Sequence, residues 1–290
     1  MAKLLDGKAV AEEIRSELKR EVAAFQSRAH RAPGLRVVAV GEDPASYVYA
    51  KNNERNCRDV GIEFDTVRLP HNTTQDELLR TLEELNQAAE VDGILMHSPL
   101  PLPLDQQTAV LAIDPGKDVE GLHPMNLGNL LFERACFIPC TPGGVITLLR
   151  RHNVPLEGKR VVLVGHSPIV GKPAIFLFLN ERATVTCCHQ WTANLAEQTK
   201  GADVLVVAVG KPGLIRAEMV RPGAVVVDVG INRLEGKLVG DVDFAEVSRV
   251  ASWITPVPGG VGPMTVSTLL RNTVEAARRH AWLKVAPQAS

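Results

Sequence analysis

Apolar residues recur along this chain in two rhythms. In the first, Val10, Ile14, Leu18, Val22 and Phe25 lie three or four apart with charges between them. That spacing puts them on one face of a helix. The opening stretch, MAKLLDGKAVAEEIRSELKR, reads as a charged amphipathic helix and not as a signal peptide. In the second rhythm the apolar residues crowd into short runs or are spaced one or two apart. Leu35–Val40, Glu63–Leu69 and Val91–Met96 predict strands, with a helix over Ser46–Val60 between the first two. Thr74 and Glu77 form a capping box for another helix, whose inner face is Leu78, Leu82 and Leu85. The order β-α-β-α-β predicts a parallel sheet with helices on both faces.

The middle of the chain is punctuated by turns. His97-Ser98-Pro99-Leu100-Pro101-Leu102-Pro103 excludes helix and central strand and predicts a rigid wall. Asp114–Gly121 is a charged, glycine-bearing turn. A boundary falls near Pro139–Gly143, and a helix follows. Then comes VVLVGHSPIVGKP, Val161 to Pro173: a buried strand, a glycine turn and a helix start. The first N–H groups of a helix lack partners and its dipole favours an anion, so this junction predicts a phosphate site. Its spacing, G-x-S-x-x-x-G, departs from the usual dinucleotide fingerprint. Further strands at 184–188, 204–209 and 224–229 fit a Rossmann-type domain. Pro256–Pro263 is a loop that leads into a last helix, with Pro263 in its first turn.

Composition narrows the class. A chain of 290 residues, 45% apolar, carries two domains of ordinary size. The domains are drawn at 1–140 and 141–263. A net charge of −1 gives no electrostatic case for nucleic acid or an anionic membrane. No apolar run is long enough to span a bilayer, and a cytoplasmic location is expected. The five cysteines lack zinc spacing, read as reduced thiols, and no metal is expected.

Several segments together resemble one family, the methylenetetrahydrofolate dehydrogenase/methenyltetrahydrofolate cyclohydrolases. They are VGEDPASYVY, DGIL followed by PLP, KDV followed by GLHPMNLGNL, FIPCTPGGVITLL, GHSPIVGKP, AVGKPG, VVDVGINR and ITPVPGGVGPMTVSTLL. They run in the family's order from about Val40 to Leu270. The resemblance implies an α/β fold in two domains. An N-terminal parallel-sheet domain holds the folate, a Rossmann domain holds NADP, the C-terminal helix 264–283 packs back on the first domain, and the active site lies in the cleft between the two. It implies a homodimer and two reactions: hydride transfer from 5,10-methylenetetrahydrofolate to NADP, then hydrolysis of the methenyl product to 10-formyltetrahydrofolate.

The same resemblance exposes three departures. The family places a lysine four residues after its tyrosine, on the same helix face. Here the tyrosine is Tyr49 and that position is Asn53, with Lys51 turned away. A glutamine two residues before PLP is His97. The second aspartate of DVDG, which grips the pterin, is Glu120, expected to keep the charge. Tyr49, Asn53, His97 and Glu120 are therefore the candidate catalytic residues. Tyr49, Glu120, Pro99, Leu100, Pro101, Gly259, Gly260, Gly262 and Pro263 are the candidate folate contacts.

The cofactor candidates are Thr141, Gly165, His166, Ser167, Gly171, Gln190, Gly210 and Ile231. No acid follows the strand ending at Cys188, where an NAD site would hold its ribose, so NADP is favoured and NAD remains possible. An amide cannot exchange protons near neutrality. Asn53 therefore points to a dehydrogenase with weak or absent cyclohydrolase activity. Three alternatives stay open: a bifunctional enzyme using His97, a dehydrogenase for a modified pterin or another one-carbon adduct, and an inactive nucleotide-binding paralogue.

Overall fold

The computed structural model describes residues 1–41 and 44–283, except for the side chains of 44–49 and 282–283. In chain order the elements are β1 (Lys3–Leu4), α1 (Gly7–Ala29), β2 (Gly34–Val40), α2 (Pro44–Val60), β3 (Glu63–Leu69), α3 (Gln75–Gln87), β4 (Gly93–Met96), α4 (Gln106–Leu111) and α5 (Pro124–Leu131). There follow α6 (Cys140–Arg151), β5 (Arg160–Val164), α7 (Gly171–Asn180), β6 (Thr184–Cys188), α8 (Leu195–Lys200), β7 (Val204–Val207) and β8 (Val225–Asp228). The last are β9 (Asn232–Leu234), β10 (Lys237–Val239), α9 (Phe244–Val247), β11 (Trp253–Ile254) and α10 (Val261–Leu283). Two compact units result. One joins 13–138 to the segment from Val266 onward, and the other joins Met1–Glu12 to Pro139–Thr265.

The first unit holds a parallel sheet in the order β3-β2-β4. The helical stripe of α1 is buried at Ile14, Leu18, Val22 and Phe25. Glu17 and Glu21 of α1 pair with Arg271 and Arg278, so α10 runs beside it. A second cluster packs Val38, Ile94 and Met96 of the sheet against Leu78 and Leu82 of α3. The Thr74–Glu77 capping box that starts α3 is formed in both directions.

The second unit holds a six-stranded sheet, order β1-β11-β8-β7-β5-β6, parallel throughout. Its core includes Val162, Val164, Leu205, Val207, Val226 and Ile254. β9 and β10 form a separate antiparallel hairpin.

The start of the chain differs from its sequence reading. Helix begins only at Gly7, and residues 1–12 belong to the six-stranded unit instead of the one built on 13–138. Leu5 is fully buried, and its N–H donates to the Ile254 carbonyl at 2.9 Å. β4 is also shorter than expected, beginning at Gly93; just before it the Asp92 side chain holds Arg31 at 2.6 and 2.7 Å, while its N–H still donates to the Gly34 carbonyl of β2 at 2.8 Å.

The strand order of each sheet reverses at one point. In the first, β2 is flanked by β3 and β4; in the second, β5 is flanked by β6 and β7. Ligands of parallel sheets lie outside the carboxyl ends of the strands at such reversals.

Candidate active site

In the six-stranded unit the reversal point is the glycine turn after β5. Gly165 has φ +122°, and a Cβ there would lie 2.2 Å from the Ala208 carbonyl oxygen. Both conformation and close approach therefore demand glycine. A Cβ on Gly171 would lie 2.1 Å from the Gly165 carbonyl oxygen, so α7 starts hard against the turn. The helix start keeps fewer free donors than the sequence suggests. Ser167 Oγ accepts the Val170 N–H at 3.2 Å, the Ser167 carbonyl accepts the Lys172 N–H at 3.0 Å, and Pro173 has none to give.

Beside this turn is a pocket of about 730 Å³, large enough to take most of a dinucleotide. Gly165, His166, Ser167 and Gln190 line it, as expected. So do Lys172, His189, Thr192 and Lys211, which the sequence reading missed. The two lysines lay inside the GHSPIVGKP and AVGKPG segments, but only the fold brings them to one pocket. No carboxylate lines it, so its charge suits phosphates. The rings of His166 and His189 meet edge-on at 5.0 Å, and those of His189 and Trp191 at 5.6 Å.

The loops after β7 and β8 are clamped by two buried acids. Asp241 accepts the N–H groups of Val209 and Gly210 at 2.7 and 3.0 Å. Asp228 accepts those of Gly230, Asp241 and Val242, each at 2.9 Å. Burial pushes the Asp228 carboxyl up to about 6, and the Asp241 charge adds to this against those three hydrogen bonds. The clamp sets Gly210, and it precedes Ile231, which is 64% exposed. Neither of these two lines the pocket, nor do Gly171 and Thr141. The Thr141 hydroxyl meets that of Thr265 at 3.1 Å. Among the candidate folate contacts, Gly259, Gly260, Gly262 and Pro263 begin or precede α10 in this unit. The Gly259 carbonyl accepts the Lys8 N–H at 3.0 Å, while Gly262 faces open space.

The other candidates belong to the three-stranded unit. α2 buries Ala50, Asn53, Cys57 and Val60 and exposes Lys51, so the helix keeps its expected register. Asn53 has no solvent exposure, and among the described residues neither of its amide atoms has a hydrogen-bond partner. The Tyr49 side chain lies outside the described residues. His97 is buried just past β4 and donates its backbone N–H to Val38 at 2.9 Å.

The turn 117–121 runs alongside β4: Ile94 bridges to Asp118 and donates to the Lys117 carbonyl at 2.8 Å. Lys117 Nζ caps α3 through the carbonyls of Leu85, Asn86 and Ala88. Asp118 accepts from Gly121, His123 and Asn126. Those two charges serve the structure; Glu120, beside Met96, is the remaining one. Burial, then the Asp118 charge, pushes its carboxyl up to about 8 despite a hydrogen bond from the Met96 backbone. The sequence reading gave Glu120 a negative charge, whereas burial favours its neutral form. In the proline corner Leu100 turns into the core, whereas Pro99 is exposed and Pro101 half-buried.

Sequence comparison matches residues 5–120 to the tetrahydrofolate dehydrogenase/cyclohydrolase catalytic domain and residues 139–281 to the NAD(P)-binding domain of the same enzymes. The bifunctional protein FolD of Exiguobacterium sibiricum is 52% identical over 96% of this chain and 100% of its own. The crystal structure of the Campylobacter jejuni FolD dehydrogenase/cyclohydrolase superposes with TM-score 0.95 at 46% identity, covering 96% of this chain and 99% of that one. The Trypanosoma brucei dehydrogenase-cyclohydrolase, complexed with NADP and inhibitor, gives 0.91 at 40% identity, covering 96% and 98%. Motifs, both sheets and both matched domains agree, and the chain belongs to the tetrahydrofolate dehydrogenase/cyclohydrolase family.

Proposed function

We propose that this chain oxidises 5,10-methylenetetrahydrofolate with NADP and then hydrolyses the methenyl product. NADP, when bound, supplies the hydride acceptor. The Gly165–Ser167 turn would hold its pyrophosphate, and Lys172 and Lys211 would supply the positive charge of the pocket. The first reaction asks mainly for positioning, because the folate nitrogens stabilise the cation that forms. In the second, water adds to the methenyl carbon and loses a proton, and a ring nitrogen gains one as its bond to that carbon breaks. His97 is the residue we assign to that proton traffic, since imidazole exchanges protons near neutrality. Glu120 grips the pterin.

The single observation behind this two-reaction reading is the end of β4, where Glu120 takes a hydrogen bond from the Met96 backbone, one residue before buried His97. The relatives named as bifunctional favour it over the one-reaction reading. That second reading, a dehydrogenase with weak hydrolysis, draws its support from Asn53 at the lysine position. One assay separates them. NADPH formation and methenyl hydrolysis are followed with wild type and His97→Ala. We expect hydrolysis well above the spontaneous rate in wild type and a loss of about 10²–10⁴-fold in the variant. Wild-type hydrolysis at the spontaneous rate would leave the dehydrogenase alone. A cytoplasmic homodimer completes the proposal.

A further inference from the structure

Asn53 is an anomaly on its own helix. Its neighbours on the inner face of α2, Ala50, Cys57 and Val60, are apolar and buried. The Cys57 thiol, one turn on, is pushed up to about 12 by burial, a sign of how dry this face is. Asn53 Oδ1 and Nδ2 are buried there with no hydrogen-bond partner among the described residues. Nearly every buried polar group in a folded protein is paired, and an unpaired amide costs more than a made hydrogen bond gains. Leucine, of similar size, would carry no such cost. The helix leaves the carboxyl end of β2, next to that of β4, where the sheet order reverses and where His97 and Glu120 lie.

We infer that the fold holds the Asn53 amide unpaired so that bound folate pairs it, through a ring edge that sets a hydrogen-bond acceptor beside an N–H. The inference rests on the folate reading and assigns Asn53 to substrate holding instead of proton transfer. An amide offers a donor and an acceptor side by side, and such an edge satisfies both at once. The buried penalty present without ligand is then relieved on binding, so part of the folate affinity is stored in the fold.

The test is Asn53→Leu in the full chain, with Asn53→Ala as the second variant should leucine not fold. Three quantities are measured: the Tm without ligand, and the KM for methylenetetrahydrofolate and for NADP. The leucine variant should melt no lower than wild type. In both variants the folate KM should rise about tenfold or more, with the NADP KM unchanged. An active wild type whose folate KM is untouched by either substitution overturns the inference alone. So does a leucine variant with lower Tm and both KM values raised, because the amide would then be holding the fold. A wild type that turns over no folate overturns the proposed function and this inference with it.

Discussion

Glu120 shows how far a residue's chemistry depends on its neighbours. In the folded chain its carboxyl titrates near 8, against an ordinary value of 4.5. Between those two values the native state holds a proton that the unfolded chain has released. Stability from this group is therefore fully present below about pH 4.5 and is lost as pH rises towards 8. The slope is about 1.4 kcal/mol per pH unit in the window where one extra proton is bound. Glu120→Gln removes the titration. Urea unfolding at pH 5 and pH 8.5 should show the variant gaining on wild type by a few kcal/mol across that interval. Equal pH dependence in the two proteins would show that Glu120 is ionised in the native state. Positions 53, 97 and 120 were legible as candidates because they lie in register with the motifs around them. The raised pKa of Glu120 was not, because its first cause is burial beside β4, which only the fold supplies, with the Asp118 charge adding to it.

At the scale of elements, long apolar runs were legible and short strands were not. β2, β3, β5 and β6 stand within a residue of their expected limits, since each carries enough consecutive apolar or alternating residues to declare itself. β1 and β11, two residues each, carry no period and exist only because they pair with one another and with β8. The loop clamp was hidden for a similar reason. Asp241 lies far along the chain from Val209 and Gly210, and nothing local marks it as their partner. Asp241→Ala would leave two backbone N–H groups without their acceptor beside the cofactor pocket. We expect the NADP KM to rise about tenfold, with a smaller rise for Asp241→Asn, whose amide oxygen still accepts. If alanine leaves the NADP KM unchanged, the clamp serves stability alone.

The whole chain is interleaved: 1–12 joins the six-stranded unit, 13–138 builds the other, 139–265 returns, and the remainder crosses again. A residue near the N-terminus therefore supports a sheet assembled mostly from residues far beyond it. Leu5 is the sharpest case, fully buried and hydrogen-bonded to Ile254, with Lys3 bonded to Ser252 just before it. Replacing a buried leucine by alanine costs about 2–5 kcal/mol, and the loss falls on whatever structure the side chain packs into. Leu5→Ala should therefore speed amide exchange at Trp253, Ile254, Val225 and Val226, the strands stacked outward from β1. Amides of β2 and β4, such as Val37 and Leu95, should keep their wild-type protection, although the sequence reading drew Leu5 into their domain. Equal acceleration in both sheets would mean that the two units open as one cooperative body. Acceleration confined to β2 and β4 would mean that the N-terminal segment belongs where the sequence first suggested.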